Sequence, residues 1–186
     1  IEEVTRNTRK LGLGVMGFAD MLIQMGIKYD SDEGVGMGRK VMAFIQEQAD
    51  IESLELATVR GPFPAWEGSP GQTRGDTEIR NACRLTVAPT GTISMIAGAS
   101  SGIEPVFALA FVKNVLDGKH LREVNRDFER IAHERGFYSD ELMDEMAKTG
   151  SCQHLEQVPE DVKRLFKTAM EIDYRTHVRM QAVFQN

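Results

Sequence analysis

The sequence predicts a helix-rich α/β fold, and three observations lead there. Short apolar runs, "LGLGVMGFA" (11–19), "RLTVA" (84–88) and "VFALAFV" (106–112), have the length of strands. Long amphipathic stretches separate and follow them, the pattern of helices layered on strands. The 186 residues, 41% apolar and 27% charged, suffice for one domain with a real core.

Taken in order, "GLGVMG" (12–17) fits the G-x-G-x-x-G pattern of a dinucleotide-binding turn, and Asp32 lies 20 residues past Gly12, where such a turn wants a carboxylate. The pattern has meaning only after a buried strand, and the preceding "IEEVTRNTRK" is mostly charged or polar. Close backbone packing is the preferred reading of these glycines, and an NAD-binding domain is disfavoured. "ADMLIQMGIKY" (19–29) predicts a helix turning at Gly26. Residues 31–61 are the longest helical pattern, with Val41, Phe44, Ile45, Gln48, Ile51 and Leu54 as its stripe and Gly61–Pro62 as its stop. "GPFPAWEGSPGQTRGD" (61–76) is a loop, which Phe63 and Trp66 should pin to the body.

"RLTVAPTGTIS" (84–94) leads a short strand into a small hydroxyl-rich turn and a helix start. That arrangement makes a phosphate site: free N–H groups point outward, the helix dipole favours negative charge, and hydroxyls add donors. Gly91 lets backbone approach a ligand, and Thr90, Thr92 and Ser94 can donate. No lysine sits in the loop, so it is not a Walker loop. The alternative is a helix N-capped by its own hydroxyls. In "SSGIEP" (100–105), Ser100, Ser101 and Gly102 predict a tight turn. Glu104 reads as an ordinary solvated or hydrogen-bonded carboxylate, with catalytic use the lesser alternative. "VFALAFV" reads as a strand buried on both faces, and from about residue 117 the remainder reads as amphipathic helices, with starts at Ser139 and Pro159.

Composition excludes several functions. A net charge of −6 argues against a nucleic-acid partner, though not against a local phosphate pocket. Two cysteines, Cys83 and Cys152, make no disulfide framework and fit a reducing cytoplasm. No apolar run approaches the roughly 20 residues of a membrane span, and there is no signal peptide. His120, His133, His154 and His177 are scattered, and Cys152-Gln153-His154 is too short for a zinc site, so no metal is expected. The ten methionines read as core filler. The chain begins at Ile1 and stops inside the helical pattern "THVRMQAVFQN" (176–186), as an excised piece of a longer protein would.

Together, "RKLGLGVMGFADML", "SLELATVRGPFPAW", "RNACRLTVAPTGTIS", "SSGIEPVFALAFVKNV" and "HVRMQAVFQ" resemble, in this order, the catalytic barrel of ribonucleotide reductases, most closely the adenosylcobalamin-dependent class II branch. The resemblance runs from about Arg9 to Gln185. It implies that residues 1–186 are the C-terminal-half fragment of one ten-stranded α/β barrel domain. It also implies that Pro89, Thr90, Gly91, Thr92, Ile93 and Ser94 bind the phosphates of a ribonucleoside di- or triphosphate. In the family, adenosylcobalamin homolysis yields a cysteine thiyl radical that abstracts the ribose 3′ hydrogen, and a cysteine pair reduced by a thiol reductant supplies electrons. The resemblance does not locate cobalamin contacts. The thiyl cysteine sits in an N-x-C-x-E loop, and this chain has none; "NACRL" (Asn81–Leu85) carries Leu where Glu is required. No catalytic residue is therefore assigned, and the fragment is expected to be inactive without the rest of the parent chain. A class I large subunit and a non-catalytic nucleotide-binding module are the alternatives.

Overall fold

The computed structural model describes residues 1–115 and 119–185, with side chains described outside 113–120. The chain divides into two compact units, residues 1–15 with 39–88 and residues 16–38 with 89–186. Helix α3 (Asp32–Arg60) runs through the division.

The first unit opens with α1 (Glu2–Thr8). Its glycine segment then lies alongside residues 83–86: Leu11 N–H donates to Cys83 O at 2.8 Å, Leu13 N–H to Arg84 O at 2.9 Å, and Thr86 N–H to Leu13 O at 2.9 Å. The strands expected near 11–16 and 84–88 are thus reduced to one parallel bridge, Leu13 with Leu85. The contact explains two glycines. A Cβ on Gly14 would lie 2.9 Å from Thr86 O, and one on Gly12 would lie 3.2 Å from Thr86 Cγ2. Close backbone packing, and not a dinucleotide turn, is their purpose.

Asn81 of the near-miss motif is a structural latch. It is buried, its N–H donates to Ser53 Oγ at 3.1 Å, and its side-chain amide donates to Arg9 O at 2.8 Å. Arg84 pairs with Asp50 on α3. Arg80 donates to Arg60 O, Gly61 O and Pro62 O at 3.1, 3.2 and 3.2 Å, placing a cation on the carbonyl end of α3. Phe63 and Trp66 are buried edge-to-face at 5.5 Å and anchor the loop as expected. The segment 61–76 is not loop throughout: helix α4 (Pro70–Arg74), which Ser69 caps and Pro70 opens, forms within it. The stripe predicted for α3 is not its buried face: Phe44 is 62% exposed, while Met42, Ser53 and Ala57 turn inward. The small inward residues are those that let neighbouring backbone come close, and hydrophobicity alone does not mark them.

The second unit contains α2 (Phe18–Gln24), which buries Phe18, Ala19, Leu22 and Ile23. Phe18 meets Phe184 of α9 (Tyr174–Gln185) edge-on at 5.1 Å and Tyr29 at 6.2 Å. Gly38 on α3 is required there, because a Cβ would lie 2.7 Å from Phe184 Cε2. After α5 (Gly91–Ala97) comes an antiparallel hairpin of β1 (Ala110–Val115) and β2 (Lys119–Val124), with Ala110 opposite Val124 and Val112 opposite Arg122. Helices α6 (Arg126–Arg135), α7 (Asp140–Thr149) and α8 (Glu160–Leu165) complete the unit. Ser139 caps α7 by accepting from Leu142 N–H at 3.0 Å, and Pro159 precedes α8, as predicted. Arg122 on β2 forks onto α7 through Asp140 Oδ1 at 2.7 Å and Asp144 Oδ1 at 2.6 Å.

Two expectations fail in this unit. Residues 106–112 are not a strand buried on both faces: the ladder begins at Ala110, and Phe107 is 83% exposed. A two-stranded hairpin covers one face only. Residues 119–124 are a strand, not the opening of the helical segment, whose expected start at 117 lies outside the described residues. Pairing with β1 overrides the helical period of "LREV", and Asn125 starts the helix by accepting from Phe128 N–H at 3.0 Å. Two strands among the described residues make a helix-rich α/β fold, not a closed barrel.

Met143, Met146 and Met180 fill this core, whereas Met95 and Met170 are exposed, so the methionines are filler only in part. Among the described residues no helix is long and apolar enough to cross a membrane. Cys152 is fully buried; burial first, and then the Glu171 carboxylate, push its thiol up to about 12. Cys83 is exposed. A thiol-disulfide reagent at neutral pH should therefore label Cys83 quickly and Cys152 only after denaturant is added. Equal labelling rates in the folded protein would contradict the packing around Cys152.

Candidate functional site

The loop 89–94 enters α5 in the second unit. Thr90 adopts φ 51°, ψ 24°, a left-handed conformation that a β-branched residue adopts only under constraint. The constraint is visible. Gly102 N–H donates to Thr90 Oγ1 at 2.7 Å, and Ser94 N–H donates to Thr90 O at 2.9 Å. Ser94 is 1% exposed; its hydroxyl donates to Gly91 O at 3.1 Å and meets Ser101 Oγ at 2.9 Å.

The hydroxyls thus divide into two sets. Thr90 and Ser94 are engaged within the protein, while Thr92 is exposed with no partner among the described residues. Pro89, Gly91 and Ile93 are also exposed. No side chain caps α5, because the residue at the cap position has turned its hydroxyl to Gly102. The N–H groups of Gly91, Thr92 and Ile93 precede the first intrahelical bond, and no acceptor among the described residues takes them up. The hydroxyl-capped helix that the sequence left as an alternative is not what forms. At the opposite end, the Arg126 guanidinium lies by Gly98, where a Cβ would be 3.3 Å from Nη2, so the cation sits at the carbonyl end of α5.

Gly91 is unconstrained by the protein itself: an added Cβ would meet nothing within 4 Å, and its φ is not left-handed. The turn predicted at 100–102 is present, with Gly102 at φ 48° and Glu104 N–H donating to Ser101 O at 2.9 Å. Glu104 is exposed, as expected of an ordinary solvated carboxylate, and it helps burial raise the Tyr29 phenol above its usual range. Tyr29 OH donates to Ile103 O at 2.6 Å.

Sequence reasoning missed Asp20. Its Oδ2 accepts from Ser100 N–H at 2.6 Å. The signal available was an acid in the first turn of α2 behind Gly17, which has no side chain to cap with. No group of three or more His, Cys, Asp or Glu among the described residues is placed to hold a metal ion. A cavity of about 630 Å³ lies in the first unit between Phe63, Trp66, Arg74 and Arg84; its cations pair with Asp76 and Asp50, and none of residues 89–94 lines it.

The sequence profile of the ribonucleotide reductase barrel domain matches residues 1–77 and 72–186. The chain belongs to the ribonucleotide reductase barrel-domain family. The chain is 54% identical over 185 residues to the vitamin B12-dependent ribonucleoside-diphosphate reductase of Thermoplasma acidophilum, covering 100% of the chain and 24% of that relative. It is 48% identical over 183 residues to the vitamin B12-dependent ribonucleoside-diphosphate reductase of Mycobacterium tuberculosis, covering 98% of the chain and 26% of that relative. Among solved structures, the class Id ribonucleotide reductase alpha subunit of Actinobacillus ureae superposes with a TM-score of 0.79 at 27% identity, over 98% of this chain and 32% of that one. The chain therefore spans about a quarter of the length of the curated relatives it matches.

Proposed function

We propose that this chain is the part of a cytoplasmic, vitamin B12-dependent ribonucleotide reductase that holds the phosphates of a ribonucleoside diphosphate, within one ten-stranded barrel domain. The parent enzyme would convert ribonucleotides to deoxyribonucleotides, drawing electrons from a thiol reductant. The carrying observation is the outward set at residues 91–93. It comprises three N–H groups without acceptors among the described residues and one exposed hydroxyl, on a loop whose other hydroxyls are tied down. Such a set suits an anion at a helix start. B12 dependence and the diphosphate come from the names of the relatives at 54% and 48% identity, against 27% for the class Id subunit. The described residues do not by themselves fit a corrin. The first unit's cavity, about 630 Å³ and bordered by paired ions, is too small for one with its nucleotide tail.

Gly91→Val in the intact parent enzyme tests the reading. The protein leaves room for the new side chain, so the folded fraction should be unchanged. Substrate affinity should fall strongly, because the valine branches occupy the space a phosphate needs. Thr92→Ala removes one hydroxyl facing a charged partner, worth roughly 1.5–3 kcal/mol, or about tenfold or more in affinity. Calorimetry on both variants measures it. Wild-type affinity in both would reduce residues 89–94 to a helix start.

A further inference from the structure

The geometry points to Asp20 as a positioning residue for the phosphate loop, acting through residues 100–102. The inference rests on the phosphate reading of residues 89–94 and adds what holds that loop in shape.

A capping box is one way a helix completes its first turn. The hydroxyl of the cap residue accepts from the third N–H, and the third side chain reaches back to the cap residue's own N–H. Helix α2 has Gly17 at its cap position, with no side chain to offer. Ser100, 80 residues away in sequence, takes the role instead. Its hydroxyl accepts from Asp20 N–H at 3.3 Å, and its own N–H donates to Asp20 Oδ2 at 2.6 Å. Gly17 N–H donates to Ser100 O at 2.8 Å, so the serine is held by N–H, carbonyl and hydroxyl together.

The next two residues reach the loop. Ser101 Oγ meets the buried Ser94 hydroxyl at 2.9 Å, and Gly102 N–H donates to Thr90 Oγ1 at 2.7 Å, at the one loop residue in the left-handed region. Tyr29 fixes the far side through Ile103 O. Three consecutive residues thus connect the start of α2 to both inward hydroxyls of the phosphate loop. Asp20 supplies the charged, and therefore stronger, end of that connection. If the segment shifts, Thr90 loses the bond that keeps it left-handed, and the N–H groups of residues 91–93 lose their common aim.

Two activities of the intact parent enzyme test this: affinity for a ribonucleoside diphosphate, and competition by inorganic pyrophosphate. Asp20→Ala should weaken both by about five- to tenfold. KM should rise while kcat changes less, and Asp20→Asn, which keeps an oxygen acceptor, should restore most of the loss. A merely structural role would lower the folded fraction and leave the affinity of the remaining enzyme unchanged, which overturns the inference. If Asp20→Ala yields no folded enzyme, Ser101→Ala removes only the contact to Ser94 and should weaken pyrophosphate competition about two- to threefold. Unchanged competition there overturns it equally. Gly91→Val separates the two levels. If it weakens binding and Asp20→Ala does not, Asp20 has no positioning role and the phosphate reading stands. If neither weakens binding, the phosphate reading itself has failed.

Discussion

Phe128→Ala should destabilise the protein by about 3–5 kcal/mol, the usual cost of a large aromatic removed from a core that cannot collapse around the gap. Phe128 is fully buried and stands edge-on to Phe166 at 5.2 Å and to Phe137 at 6.1 Å. The ring joins α6 to the segments after it, so its loss removes contacts from more than one element at once. Urea unfolding followed by circular dichroism measures the change. A loss under about 1 kcal/mol would mean that the site refills, and that the aromatic cluster is not what holds α6 in place.

The second large effect is an absence of turnover. The chain alone, supplied with adenosylcobalamin, a ribonucleoside diphosphate and a dithiol, should form no deoxyribonucleotide. Hydrogen abstraction from the ribose needs a thiyl radical, and the chain has two cysteines, neither in an N-x-C-x-E motif. Cys152 is buried, with its thiol pushed up to about 12, so it cannot exchange with a reductant in the folded protein. Cys83 is exposed and its Sγ lies 3.4 Å from Leu85 O, in a segment where Asn81 serves packing and not chemistry. Product formation that disappears in Cys83→Ser, detected by separating the nucleotides, would show that Cys83 is the radical site after all.

The entry into α5 was legible because its signal is local: "RLTVA" ends, hydroxyls and glycine follow, and a helix begins. The direction of each hydroxyl was not legible. Ser94 and Thr92 are two residues apart and so face different sides of the helix, but which side is inward is set by the segment that brings Ser101 to Ser94 and leaves Thr92 exposed. Strand β2 was hidden for a related reason. Leu121 and Val124 keep the spacing of the helix that follows, and the strand exists only because β1 pairs with it. On α3, Phe44 and Ile51 shaped the apolar stripe, yet Ser53 and Gly38 mark the packed sides, since close approach selects for small residues that hydropathy ranks low. Asp20 was missed because its partner lies 80 positions further on, beyond any window that reads local periodicity.

The cap that α2 borrows from Ser100 has a consequence for the order of folding. Synthesis runs from the N-terminus, so α2 emerges with its first turn unfinished and stays so until another 80 residues have followed. Seven residues with an open start are too few to hold a helix in water, so α2 cannot serve as an early nucleus. Its formation and the shaping of residues 90–94 belong to one late closure of a long loop, and long loop closures are slow. A nascent chain therefore has no finished turn at residues 90–94 before it has the helix that stands behind it.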